Sequence, residues 1–413
     1  MPVRLSASSS PLTPRFRPIF IASSLTNLGD GVLLAAGPLL VAATNPAPAA
    51  VGGAVFVQQL PWLLFSVLGG ALVDRVDRRR ALLTANACRG VVMAALSLSV
   101  LFDASTLVII YGGLFLLGVG ETFADNATTA LTVLVVPRDR LGVANARLDA
   151  TFTVGNQLVG PPLGGFLFAL GSFAPFMTHA VALGAAAVVA TRVVIQTRSD
   201  SIEARSEPAS FLGETREGLA WVRRNAPIRT LVMAILTMNI AFSAAFATWV
   251  LYATDEIGLT TAQFGLLMTC SAIGGLTAPW LYPRTEAVLG IVRIVQVGFL
   301  IEAGVHLTLA LTPSAPVVAI TMVLFGAHTM IWGAAALSLR QNATPESLLG
   351  RVNGVYSTAS IGGSALGSAL GAVIAQLCGV TAGFWGAGVV MLLIAALSRR
   401  RVRDLATDVQ AGS

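Results

Sequence analysis

The sequence predicts an all-α integral membrane protein with twelve transmembrane helices, and three observations lead to that prediction. Apolar runs long enough to cross a bilayer follow one another along nearly the whole chain. The short connections between them alternate between segments that carry arginine and segments that carry no basic residue. The two halves of the chain also repeat each other weakly, which indicates a duplicated six-helix unit.

The composition argues against a soluble protein. Of the 413 residues, 55% are hydrophobic, 11% are charged and 41 are glycine, and the mean hydropathy is +0.78. These values are too apolar for a soluble domain, and glycine is common in membrane helices. The net charge of +6 comes from 26 arginines without any lysine. We interpret these arginines as loop anchors at an anionic membrane face and expect no nucleic acid partner.

Runs of about 20 apolar residues, the length that crosses the hydrocarbon core, locate the helices. The predicted spans are 17–43, 51–73, 81–102, 106–136, 146–170, 173–195, 228–253, 262–282, 287–311, 315–339, 348–377 and 380–398. The predicted units are a tail at 1–16, a first set of six helices at 17–195, a linker at 196–227, a second set at 228–398 and a tail at 399–413.

The linker is the longest polar segment, and it contains a predicted amphipathic helix. Phe211, Leu219 and Val222 recur at helical spacing on one face, opposite charged residues. We interpret this helix as a connection that lies along the membrane surface. A regulatory or partner-binding role is the alternative.

The arginines predict the orientation of the chain. The arginine-bearing connections hold Arg4, Arg15, Arg17, Arg75 to Arg80, Arg138, Arg140, Arg192 to Arg229, Arg284, Arg340 and Arg399 to Arg403. The other connections carry only the acids Asp103, Asp255 and Glu256. Arginine-rich loops stay in the cytoplasm, so we expect a multi-pass protein of the cell (inner or plasma) membrane with both termini cytoplasmic.

The repeat is visible when the chain is shifted by 208 residues. Pro137 then matches Pro345, Leu141-Gly142 matches Leu349-Gly350, and Asn145 matches Asn353. Weak repetition between two six-helix halves is typical of secondary transporters built from parallel repeats.

Two segments are candidate conformational gates. The connection after the second span holds Gly70, Asp74, Arg75, Arg78 and Arg79. Its glycine permits close helix approach, and an acid among arginines can form ion pairs that one conformation makes and another breaks. A simple basic loop that anchors the helix is the alternative.

The fifth span holds the second candidate gate, and its members are glycines and a proline. They are Gly155, Gly160, Pro161, Gly164 and Gly165. Proline bends a membrane helix and glycines permit backbone-to-backbone packing.

Both segments resemble signatures of the major facilitator superfamily. The second resembles the antiporter motif of its drug/proton exporters, and other segments, such as Asn27 to Gly31, are similar to macrolide-efflux and enterobactin-type siderophore exporters. Asp77 departs from the first signature, which has glycine there. The resemblance covers about residues 15 to 400. It implies two pseudo-symmetric six-helix bundles, alternating access, and a central cavity lined by the first, fourth, seventh and tenth spans.

Three carboxyl groups are the candidate proton-coupling residues: Glu121 and Asp125 in the fourth span, and Asp30 in the first. An ionisable residue near mid-membrane costs about 2.5–3.5 kcal/mol on insertion scales, so each one needs a function or a partner. Glu121 and Asp125 share a helix face, and two charged carboxylates so close repel each other, which favours binding a proton. The alternative is that one of them merely pairs with Arg89, which we expect to be embedded in the membrane within the third span, or with a backbone donor.

Further polar residues are assigned less specific roles. We interpret Arg89 as a buried ion-pair partner, Glu302 with His306 as a local pair on a peripheral span, and His179 as a hydrogen-bonded core histidine. The candidate substrate-cavity residues are Asn27, Asn126, Asn156, Gln157, His328, Trp332, Asn239 and Trp249. Contacts between helices are the alternative explanation for most of them.

The function predicted from these features is proton-coupled export of amphiphilic small molecules, such as a drug, a macrolide-like compound, a siderophore or a secondary metabolite. A chain without lysine has no Walker A loop, and we expect no cofactor, no metal and no enzymatic activity. The expected partners are the substrate, protons and lipid, with a functional monomer. An importer of the same fold and a transport-inactive receptor or scaffold are the alternatives.

Overall fold

The computed structural model describes residues 14–73, 76–194 and 211–411, and every regular element in these ranges is a helix. The all-α class is therefore confirmed. Its helices are long because a membrane offers backbone N–H and C=O groups no partner outside the helix, so the helices continue even past Pro38, Pro61 and Pro283.

The described residues of the first half form seven α-helices. They are α1 (Phe16–Thr44), α2 (Pro48–Val73), α3 (Arg78–Leu101), α4 (Leu107–Val135), α5 (Leu141–Thr151), α6 (Gly160–Leu170) and α7 (Ala174–Ala190). A 3-10 turn at Arg138–Arg140 precedes α5, and a π-helical stretch at Phe152–Val159 joins α5 to α6. The predicted fifth span is therefore one continuous but irregular helix.

Eight α-helices are described in the second half. They are α8 (Phe211–Arg224), α9 (Ala226–Phe246), α10 (Trp249–Leu251), α11 (Thr261–Gly275), α12 (Ala278–Leu311), α13 (Ala315–Ala343), α14 (Leu349–Cys378) and α15 (Ala382–Ala411). A π-helical stretch at Tyr252–Glu256 follows α10, and a 3-10 turn at Glu346–Leu348 precedes α14.

Two helices differ from the predicted spans. The helix α12 joins the eighth span to the ninth, with the break at Gly290, whose φ of 72° and ψ of 157° suit glycine and strain other residues. The helix α15 continues to Ala411, past the predicted end at 398. An arginine-rich sequence is a good helix former, so leaving the apolar layer does not end the helix.

Eight of the described helices are long and apolar enough to cross a membrane. Two further apolar segments, Ala174–Ala190 and Ala382–Leu397, are shorter. A π-helical stretch interrupts the regular α-helix of the fifth predicted span, and the end of α11 at Gly275 interrupts that of the eighth, so these two spans are not among those counted. Twelve spans are consistent with this arrangement, and the number stays a prediction.

Helices of each half pack mainly against each other. In the first half α1 packs on α6 and α7, α3 packs on α4 and α7, and α2 packs on α4. In the second half α9 packs on α14 and α15, and α12 packs on α13 and α15. The two halves meet through α2 with α14 and through α6 with α11.

The contacts between the halves lie toward the arginine-free end of the helices. Ala49 at the start of α2 donates its N–H to Gln376 Oε1 near the end of α14, at 3.2 Å. Gly165 in α6 lies against the carbonyl oxygen of Thr261 at the start of α11. The halves are therefore closed against each other at this end.

The amphipathic helix of the linker is present as α8, and it packs on α14. Glu217 Oε1 lies 2.9 Å from Arg351 Nη1, and Val222 is buried with Ile228 and Val352. Linker residues 195–210 lie outside the described ranges. The division into units proposed from the sequence stays a prediction.

Candidate functional site

A buried ion pair joins three helices in the first half. Arg89 Nη2 of α3 donates to Asp30 Oδ1 of α1 at 2.6 Å. His179 Nε2 of α7 lies 3.2 Å from the same oxygen, but the ring is not aligned for a hydrogen bond. Arg89 is 2% exposed and His179 is fully buried. Asp30 and Arg89 thus neutralise each other where an isolated charge would be costly.

Two glycines make room for this pair. A methyl group at Gly29 would overlap the His179 imidazole, and one at Gly120 would overlap Cγ of Arg89. The small residues let α7 approach α1 and let the Arg89 side chain lie flat against α4.

Glu121 and Asp125 of α4 have no such partner. Neither forms a hydrogen bond or an ion pair with a residue that the structure describes, although both lie within electrostatic range of Arg89. Glu121 is partly buried and Asp125 is exposed. At about 100° per residue, Asp125 is nearly opposite the exposed apolar Leu116 and Leu134, so it faces the interior of the protein instead of lipid.

The charges of this region do not balance. With all groups ionised, three carboxylates and the Arg89 guanidinium leave two negative charges in a poorly solvated space. Repulsion and desolvation both favour taking up protons there.

Asp30, Glu121 and Asn156 line one cavity of about 170 Å³. Three residues of α2 that were not predicted, Gln58, Gln59 and Trp62, line it as well. The sequence did contain a signal for them, because two adjacent amides in the middle of an apolar span need polar partners or a wet surface.

Several of the predicted cavity residues bond within or between helices. Asn27 Nδ2 donates to Thr151 Oγ1 of α5 at 2.8 Å, and Asn126 Nδ2 donates to the carbonyl oxygen of Thr122 in its own helix. Gln157 is partly buried in the π-helical stretch. A contact of these residues with substrate stays a prediction.

A second cavity, of about 250 Å³, lies in the other half. Asn239, His328 and Trp332 line it together with Glu302, and their contact with substrate stays a prediction. Glu302 Oε2 is 3.3 Å from His328 Nε2, in addition to its neighbour His306 at 3.7 Å. The local pair of Glu302 with His306 that the sequence predicts is thus extended by His328 of α13.

Trp249 lies outside the lining of both cavities. It is 8% exposed and packs in an aromatic cluster with Phe246, Tyr252 and Phe384, at centroid distances of 4.8, 5.4 and 6.1 Å. Packing against these three rings accounts for the burial of Trp249.

The first predicted gate is described only in part. Gly70 lies in α2, and Asp74 and Arg75 fall outside the described residues. Arg78 begins α3, and Arg79 Nη2 donates to the carbonyl oxygen of Thr191 after α7.

Asp77, which departs from the family signature, is the N-cap of α3. Its side chain accepts a hydrogen bond from Arg80 N–H at 2.9 Å. A carboxylate there stabilises the free N–H groups and the positive end of the helix.

The second predicted gate touches two helices at once. Methyl groups at Gly160 and Gly164 would overlap the backbone of α1 at Gly31 and Val32. One at Gly165 would overlap Thr261 of α11, whose Gly265 in turn lies against Pro161. Gly155 also faces α1, at Leu28. One face of this irregular helix thus contacts α1 of its own half, and the adjacent face contacts α11 of the other half.

Comparison with known proteins gives a family and a fold. The profile of the family described as transmembrane secretion effector matches residues 6–411. The enterobactin exporter EntS of Citrobacter koseri is 28% identical over 396 residues, covering 92% of this chain and 91% of that protein. EntS of Escherichia coli O81 is 27% identical over 414 residues, covering 96% and 95%.

Solved transporter structures share the fold at low sequence identity. A mutant of the nucleoside transporter NupG superposes with a TM-score of 0.76 at 8% identity, covering 93% of this chain and 98% of that one. A bacterial homologue of the iron transporter ferroportin, in an inward-facing state, gives 0.72 at 16% identity, covering 94% and 100%.

Proposed function

Because this chain belongs to the transmembrane secretion effector family of the major facilitator superfamily, and is thus a multi-pass membrane transporter and not an enzyme, we propose that it exports amphiphilic small molecules in exchange for protons. It works by alternating access in the cell membrane, with both termini in the cytoplasm. The relatives that export enterobactin make siderophores the first cargo class to test.

The observation that carries this proposal is the lack of a bonded partner for Glu121 and Asp125. Both are carboxylates inside a membrane helix, both face the protein interior, and neither has a partner in the described residues. Arg89 neutralises only one of the three acids, and it is already bonded to Asp30. Glu121 and Asp125 therefore bind the transported protons, while Asp30 holds Arg89 in place.

The energy is sufficient for useful export. One proton moving down a potential of 100 mV releases about 2.3 kcal/mol. Since each 1.4 kcal/mol is tenfold in concentration, one proton supports a ratio of nearly fifty.

We expect Glu121→Gln and Asp125→Asn to abolish proton-driven transport while leaving binding of cargo in place. The measurement uses inside-out vesicles energised by a pH gradient, with enterobactin and a fluorescent cationic dye as probes. Glu346→Gln and Asp149→Asn remove exposed carboxyls elsewhere and serve as matched controls.

Three outcomes are informative. Gradient-driven uptake that persists in both site variants removes the proton assignment. If the wild type instead moves either probe out of the inside-out vesicles, the direction that corresponds to entry into the cell, the result supports an importer. A wild-type protein that moves neither probe, although correctly inserted, contradicts the export proposal.

A further inference from the structure

A second group of ionisable side chains lies in the other half of the molecule, and the export proposal does not use it. Glu302 and His306 are one turn apart on α12, and His328 is on α13. They are 4%, 0% and 7% exposed. Each carboxylate oxygen of Glu302 faces one imidazole, Oε2 at 3.3 Å from His328 Nε2 and Oε1 at 3.7 Å from His306 Nε2.

We propose that Glu302, His306 and His328, the Glu–His–His cluster, form a second proton-binding site of this protein. A buried carboxylate between two neutral imidazoles carries an uncompensated negative charge. One proton placed on either ring converts the cluster into a neutral ion pair, which costs far less to bury.

The neighbouring side chains that the structure describes are mostly aromatic, so the two histidines are the groups that can compensate the negative charge of Glu302. From α9 the rings of Phe242 and Phe246 face His306, and from α15 the ring of Phe384 does, at centroid distances of 6.1 to 6.4 Å. The described side chains of α15 include no charged residue. Among the helices packed on α12, only α13 therefore brings a titratable group to Glu302.

The arginines of these helices are engaged or distant. Arg293 precedes Glu302 by nine residues of α12, about 13 Å at 1.5 Å per residue. Arg340 Nε donates to Asn353 Oδ1, and Arg229 Nη1 donates to the carbonyl oxygen of Arg223.

The buried ring of His306 lacks hydrogen bonds, and binding a proton changes its interaction with Glu302. Neither of its ring nitrogens has a hydrogen-bond partner in the described part of the chain. Its Nε2 lies just beyond hydrogen-bond distance of Glu302, so protonation adds an attraction that draws the ring to the carboxylate.

The site matters because it forms part of a cavity wall. Glu302 and His328 line the second cavity beside Asn239, Phe242 and Trp332. Without the proton this wall presents a negative charge beside aromatic faces, a surface that suits a cationic group. With the proton the wall is neutral. The proton thereby sets the charge that the second half offers to an occupant.

Histidine NMR tests this directly, since the chain contains only three histidines. The protein is labelled with ¹⁵N-histidine, placed in nanodiscs and titrated from about pH 5 to pH 8.5. Single His→Gln variants assign the three imidazoles. We expect His306 and His328 to change together in one coupled step as a single proton is bound, while Glu302 stays charged.

The variant Glu302→Gln should abolish that step, because it removes the carboxylate that the bound proton neutralises. Glu286→Gln, on the same helix outside the cluster, is the matched control. The His179 signal reports that the fold is intact, because it lies in the other half beside Asp30.

Two results would overturn the proposal. One is that both rings of the wild-type cluster stay neutral down to pH 5, and the other is that Glu302→Gln leaves their titration unchanged. The measurement needs no cargo, so a failed export assay does not affect it. Conversely, a negative titration leaves the roles of Glu121 and Asp125 as they are.

Discussion

At the scale of single residues, the partner of each charge decides its role. The sequence marked Asp30, Glu121, Asp125 and Arg89 as expensive residues in apolar helices. Asp30 and Arg89 are 59 positions apart, and only the packing of α7 against both α1 and α3 shows that they are close enough to bond to each other. Of the three acids predicted to couple protons, Glu121 and Asp125 are then the two without a bonded partner in the described chain.

Replacing Arg89 by Leu should destabilise the folded protein by about 3–5 kcal/mol, since it leaves the buried Asp30 without its counter-ion. Thermal unfolding of the purified protein in detergent measures the effect. Arg147→Leu, which removes an exposed arginine, is the control and should change little.

The double variant Asp30→Asn with Arg89→Gln should recover much of this loss, because a neutral amide pair replaces the ion pair. An Arg89→Leu protein that unfolds at the wild-type temperature would show that the pair contributes nothing.

At the scale of elements, the irregular fifth helix, from α5 through the π-helical stretch to α6, connects the two halves. Its glycine pattern was visible in the sequence, but which neighbour each glycine touches was not. Gly164 meets α1 of its own half, and the adjacent Gly165 meets α11 of the other half. Adjacent residues of a helix point about 100° apart, which is why neighbouring glycines serve different contacts.

We therefore expect substitutions at Gly164 and Gly165 to have different effects. Gly165→Ala should push α11 away and open the arginine-free end, whereas Gly164→Ala should lower stability without separating the halves. Spin labels at positions 172 and 256, in a background without the native cysteines, measure the opening as a longer distance.

Gly184→Ala is the control, because a methyl group at Gly184 meets nothing within 4 Å. Equal distances in the Gly165→Ala and Gly184→Ala proteins would refute the assignment of Gly165 to the contact between the halves.

At the scale of the whole molecule, the repeat of the sequence reappears as a repeat of contacts. The shift of 208 residues carries Gly120 onto His328 and Arg89 next to Gly298. In the first half the large charged side chain of α3 lies against Gly120 of α4, and in the second half Gly298 of α12 lies against His328 of α13. The pair α3–α4 of the first half thus corresponds to the pair α12–α13 of the second, and in each pair an ionisable side chain lies against a glycine. The ionisable side chain belongs to α3 in the first half and to α13 in the second.

Locking the arginine-free end should stop transport, because the alternating access that we propose requires this end to open. A short thiol cross-link between Ala49→Cys and Gln376→Cys, which join α2 to α14, is expected to abolish uptake in vesicles, and reduction to restore it. The single variants, treated in the same way, are the controls. Transport that continues at full rate in the cross-linked protein would contradict the gating scheme.

The sequence alone was enough for the helical class, the positions of most membrane spans, the family resemblance and the acids of α4. These features depend on how each residue interacts with lipid, water or its near neighbours in the same helix, and such interactions leave a periodic or compositional pattern. Tertiary structure decided the Asp30–Arg89 pair, the glutamines of α2 in the first cavity, and the approach of His328 to Glu302. Those contacts join residues on different helices, and packing geometry, which no local pattern records, selects them.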